Sequence, residues 1–130
     1  MVSAEKPGRP LARQRSRARP APSFDVRMNR IVALLPEGDA SKLEAAGKLV
    51  AFEVGQVLQE AGEEITQVYF PISGVLSVLA VLATGEAVEA ASVGREGMAG
   101  LPVFLGARIA TTRTSVQVAG QALVLDAPAF

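Results

Sequence analysis

From Lys48 onward the chain reads in steps of two, and glycine punctuates the steps. KLVAFEV (48–54) alternates, Gly55 turns it, VLQE (57–60) is short, AGEE (61–64) turns again and ITQVYFP (65–71) resumes. Ser73 and Gly74 follow, VLSVLAVL (75–82) is apolar on both faces, and TGE (84–86) makes a hairpin into AVEAASV (87–93). TSVQVAG and ALVLDA close the series. Alternation sends successive side chains to opposite faces of a sheet, so each stretch is a strand with one buried face, or two for VLSVLAVL. Strands this short, with no helical repeat between them, cannot be wound into βαβ units. They predict a mainly β fold of two packed sheets, a sandwich or jelly roll (double-stranded β-helix).

Short helices accompany the strands. NRIVALL (29–35) places Ile31, Leu34 and Leu35 on one helical face, and Pro36 ends it because the residue before proline is driven out of the helical region. Asp39 is expected to cap a second helix with Leu43 and Ala46 inward, closing at Gly47. Between the last strands lies GREGMAGLPVFLGARIATTRTSVQVAG (94–120), whose MAGLPVF segment is expected to make one helical turn.

The formal net charge of zero hides an asymmetry. Residues 1–30 hold 8 of the 13 Lys and Arg and 2 acids, while the other hundred hold 5 basic and 11 acidic side chains. Residues 1–27, rich in Arg, Pro, Ala and Ser, offer little to bury and are expected to form a disordered basic arm, with residues 28–130 as the folded domain. The arm is a solvated tail, sequence read through ahead of a natural start at Met28, or a non-specific contact for nucleic acid or an acidic partner; no aromatic residue is interleaved to stack on bases. No apolar run approaches membrane-spanning length, and no apolar segment follows the N-terminal charges as in a secretory signal, so no membrane partner and a cytoplasmic location are expected.

The chain has no cysteine and no histidine. Thiolate and imidazole metal sites and any Ser-His-Asp arrangement are therefore excluded. Neighbouring carboxylates, Glu63 with Glu64 and Glu86 with Glu89, fall in or beside turns, where acids are ordinarily solvated. Neither a phosphate loop nor a G-x-G-x-x-G fingerprint is present. The expectation is no catalytic residue, no metal and no cofactor. What remains is 94–120, which either cradles an anion on glycine-loosened backbone or only turns a corner.

The order of these parts resembles the effector domain of CRP/FNR superfamily transcription regulators, a jelly roll of cyclic-nucleotide-binding type. The markers are the helices before the barrel, then Gly55, Leu58, Gly62 and Glu63 in a G-x-x-L-x-x-x-G-E pattern, VYFPISGVLSVL (68–79), the TGE hairpin and VGREGMAG. The resemblance implies a phosphate-binding cassette in 94–120: a short helix, a glycine followed by glutamate for the ribose, and an arginine followed by serine or threonine for the phosphate. Here Gly100 is followed by Leu101, and aligning the strand by its valines puts Thr112 at the arginine position, with Arg113 one residue late. In a strand Thr112, Thr114, Val116 and Val118 share a face, inward given the valines, and Arg113, Ser115 and Gln117 take the other. A bulge at 110–112 would return Arg113 to the interior.

The candidate ligand-lining residues of this degenerate cassette are thus Gly97, Met98, Gly100, Leu101, Thr112, Arg113 and Thr114. The resemblance implies a sensory domain for a small-molecule effector other than cyclic AMP. DNA would be contacted only through a dimerisation helix and winged helix-turn-helix beyond residue 130, and homodimers are expected of the full-length regulator, weak or absent for these residues alone. Two alternatives stay open: a stand-alone β-barrel interaction module with a non-specific arm, and a cyclic-nucleotide-binding regulatory domain of a signalling protein.

Overall fold

The computed structural model describes residues 25–127. A 3-10 turn, Val26–Met28, leads into the short helix α1, Arg30–Ala33, and then α2, Glu37–Ala46. Seven strands follow: β1 Lys48–Phe52, β2 Val57–Gln59, β3 Gln67–Pro71, β4 Val75–Val81, β5 Ala87–Val93, β6 Thr112–Val118 and β7 Gly120–Asp126. A second 3-10 turn, Leu101–Leu105, lies between β5 and β6.

The strands form two antiparallel sheets, ordered β1-β7-β3 and β2-β6-β4-β5. Their facing sides enclose one core, including Val50, Phe52, Leu58, Tyr69, Leu76, Val116 and Val124. A second core lies on the other side of β3 and β7, where Val68, Phe70, Ile72, Leu123 and Leu125 meet Val26, Val32 and Ala40 from the helical segment. This is the expected jelly roll, with short helices before it and one helical turn within it.

The helices therefore decide which strands are buried twice. Every residue of β3 is buried, and β7 is buried from Ala122 to Leu125. The strand expected to be buried on both faces, VLSVLAVL, is half-buried from Val78 to Val81 and exposed at Leu82, because among the described residues the helices pack on β3 and β7 and not on β4. The expected strands also shorten: β1 ends at Phe52 rather than at 54, and β3 begins at Gln67 rather than at 65.

The helix faces need correction. Val32, fully buried, is the inward residue of α1, flanked by half-buried Ile31 and Leu35, whereas Leu34 is 85% exposed. With only four residues, α1 does not complete the repeat on which the Leu34 expectation relied. In α2, Ala40 and Leu43 face the core and Ala46 is exposed. The helix starts at Glu37, two residues before the expected Asp39 cap, and Asp39 instead sits in its first turn, where a negative charge suits the exposed amides.

Of the arm expected over 1–27, positions 1–24 lie outside the described residues. Positions 25–27 belong to the body: Val26 is 1% exposed, and Arg27 pairs with Glu37 on α2 at 2.7 Å and with Glu44 at 3.8 Å.

Candidate functional site

The stretch 94–120 is built from the loop upward. Gly94 and Gly97 close a tight turn, with the Gly97 N–H donating to the Gly94 carbonyl at 3.1 Å. The Gly94 N–H donates to Glu96 Oε2 at 3.1 Å. The hydrogen bond from its own N–H, and after it this one from Gly94, hold the Glu96 carboxyl below its ordinary value against a partial opposing effect of burial, and the charges of Arg30 and Arg95 add to the lowering. Ala99 then pairs as an isolated bridge with Tyr69 of β3, exchanging N–H···O bonds of 2.9 and 3.0 Å. At Gly100 the chain turns with φ of 101°, so close to Val68 that an added Cβ would stand 2.7 Å from its Cγ1. Only glycine satisfies both demands.

The following turn, Leu101–Leu105, is bounded by Gly100 and Gly106, both left-handed. It is a poor anion cradle. Pro102 has no N–H, and the Val103 N–H already donates to the Gly100 carbonyl at 3.0 Å.

Between this turn, the inner face of β3 and the inner face of β6 is a cavity of about 40 Å³, room for one or two waters. Gly100, Pro102, Ala99, Tyr69, Gln59, Gln67, Ile65, Ala110, Thr111, Thr112 and Thr114 line it. None of these side chains carries a charge. The Tyr69 hydroxyl lies 3.2 Å from the Leu58 carbonyl and 3.3 Å from Gln67 Oε1, so its polar end is engaged by the protein.

The candidate residues divide clearly. Gly100, Thr112 and Thr114 meet at the cavity. Leu101 does not line it and is 55% exposed on the turn. Met98 packs into the second core, and Gly97 turns its carbonyl to Asn29. Arg113 is on the opposite face of β6 from buried Thr114 and Val116, and its Nε donates to Glu60 Oε1 at 2.6 Å. The alternation expected from the valines therefore holds at 112–116, and no bulge returns Arg113 to the interior. It lapses at Val118, which is half-exposed near the strand end.

Gln59, Gln67 and Tyr69 were not among the candidates. One signal could have found them: Gln67 shares its face with Tyr69 by the period of two, and a glutamine on an inward face implies a polar space. Among the described residues no group of three or more His, Cys, Asp or Glu could hold a metal ion, and no helix is long and apolar enough to cross a membrane.

No family model and no curated protein matches the sequence. Solved structures do match its fold. The N-terminal domain of a transcriptional regulator from Streptomyces coelicolor superposes with a TM-score of 0.67 at 19% identity, covering 80% of this chain and 72% of that one. The sensor domain of the transcriptional regulator DNR from Pseudomonas aeruginosa gives 0.64 at 18%, covering 73% and 64%. The regulatory subunit of a cAMP-independent protein kinase A from Trypanosoma brucei, a triple mutant bound to cAMP in its A site, gives 0.70 at 18%, covering 78% of this chain but only 38% of that one. The shared architecture is a jelly roll found in transcription regulators and cyclic-nucleotide-binding proteins.

Proposed function

We propose that this chain is the sensory domain of a CRP/FNR-type transcription regulator whose effector is a small molecule other than a cyclic nucleotide. The observation that carries it is the orientation of Arg113. A buried cyclic phosphate needs a cation, since hydrogen bonds between charged groups contribute about 1.5–3 kcal/mol each and an uncompensated buried anion costs more than that. Here the cavity wall is neutral, and the nearby guanidinium is committed to Glu60 on the outer face. The neighbours that are transcription regulators support the regulatory half of the reading. It places DNA recognition and homodimerisation in parts of the regulator outside these residues, and it assigns the chain no catalytic role and a cytoplasmic location.

The test is calorimetry of the chain with cyclic AMP and cyclic GMP. Neither is expected to bind at micromolar concentration, and micromolar binding of either refutes the reading. The double variant Leu101→Glu, Thr112→Arg restores the two side chains that the resemblance calls for, and it is expected to gain measurable affinity.

A further inference from the structure

Asn29 is the most completely engaged buried polar side chain among the described residues. It is fully buried. Its Oδ1 accepts from the Ile31 N–H at 3.0 Å and the Val32 N–H at 3.2 Å, capping α1. Its Nδ2 donates to the Pro71 carbonyl at the end of β3, 2.7 Å away, and to the Gly97 carbonyl in the loop, 2.9 Å away. An amide has two donor hydrogens and two acceptor lone pairs, and all four are used, on three separate pieces of chain. Beside it the Arg30 N–H donates to the Arg95 carbonyl at 2.7 Å, a second tie between the same helix and the same loop.

We infer that Asn29 is a positioning residue that clasps α1 to the 94–98 loop, so that displacement of the loop at the cavity is passed to the helical segment as loss of its cap. Two features make this more than a structural hydrogen bond. The loop continues directly through Ala99 into Gly100 and the turn that walls the cavity, so the clasp stands two residues upstream of that wall. And the bonds are jointly satisfied in one geometry: if Gly97 withdraws, a buried N–H is left without a partner, which costs more than a surface bond and favours movement of the whole side chain, cap included. A serine in this place could cap the helix but could not reach the two carbonyls; an aspartate could cap it but has no donor for them. The clasp stands on these bonds alone and holds whether or not the regulator reading is right.

Hydrogen exchange of backbone amides on the full chain tests it. Asn29→Ser keeps a cap and removes both donors. Exchange at Gly97 and Ala99 is expected to rise about tenfold more than at Val50 and Val124 in the core, as for one or two lost buried hydrogen bonds acting locally. An equal rise everywhere would mean only global destabilisation and would overturn the clasp. The second variant acts from the far end. Glu96→Gln weakens the loop through its part-buried Gly94 contact, and it is made in an Arg30→Gln background so that the loss of its charge interaction with Arg30 of α1 adds nothing to the comparison. It is expected to speed exchange at Ile31 and Val32 when Asn29 is present and to add nothing in the Asn29→Ser background. If Glu96→Gln leaves Ile31 and Val32 unchanged, or accelerates them equally in both backgrounds, the loop and helix are not coupled through Asn29.

Discussion

At the scale of single residues, the chemistry of the site turns on one step of strand parity. Thr112 and Thr114 line the cavity between the sheets and Arg113 lies on the other face of β6, where its partner Glu60 has a side chain only 14% exposed. Removing the guanidinium leaves that carboxylate poorly solvated, with only the Ala61 N–H at 3.2 Å still donating to its Oε1. Arg113→Ala is therefore expected to destabilise the fold by about 1–2 kcal/mol, below the cost for a fully buried pair because Arg113 itself is about one-third exposed. Urea denaturation measures this. A loss of stability of this size identifies Arg113 as a strut of the fold, whereas unchanged stability would show that the pair contributes nothing.

At the scale of elements, the jelly roll depends on a corner where two connections cross. The chain passes from β3 in one sheet to β4 in the other at Ser73 and Gly74, and returns from β6 to β7 at Ala119 and Gly120. The crossings touch backbone to backbone. Gly74 has φ of 82°, and an added Cβ there would stand 2.6 Å from the Val118 carbonyl. A Cβ on Gly120 would press against the Ser73 carbonyl, with no flexible side chain to give way. Gln121 laces the corner, its carbonyl accepting from Ile72 and Ser73 at 2.8 and 3.2 Å. Gly120→Ala is expected to cost about 3 kcal/mol by forcing the two connections apart, the upper end of ordinary overpacking. Chemical denaturation checks it, and a cost below about 1 kcal/mol would mean that the corner yields easily.

At the scale of the whole molecule, two cores share β3 and β7, and the helical segment completes the second. Val26 belongs to that core although it lies within the stretch where composition alone reads as arm. Shortening the chain to begin at Asp25 or at Met28 should therefore differ in effect. The longer deletion is expected to be less stable by about 2 kcal/mol, from losing one buried valine and the packing of its turn. Comparing the two midpoints under identical conditions decides it, and equal midpoints would place the boundary at Met28 after all.

The alternation after Lys48 was enough to determine strands, turns and a two-sheet fold, because a period of two admits only one kind of element. The same parity, counted from Val116, put Arg113 outside, and the glycines marked where the backbone turns. Which strand is buried twice was not legible, since VLSVLAVL is as apolar as VYFPI and only the seating of the helices on β3 and β7 separates them. Neither was the role of Asn29 nor the place of Gln59 in the cavity wall, whereas Gln67 shares an inward face with Tyr69 by the period of two. Asn29 contacts Pro71 and Gly97, 42 and 68 residues along the chain, and no local pattern reports a partner at that distance. Periodicity is a property of neighbours in sequence; the clasp and the cavity are properties of neighbours in space.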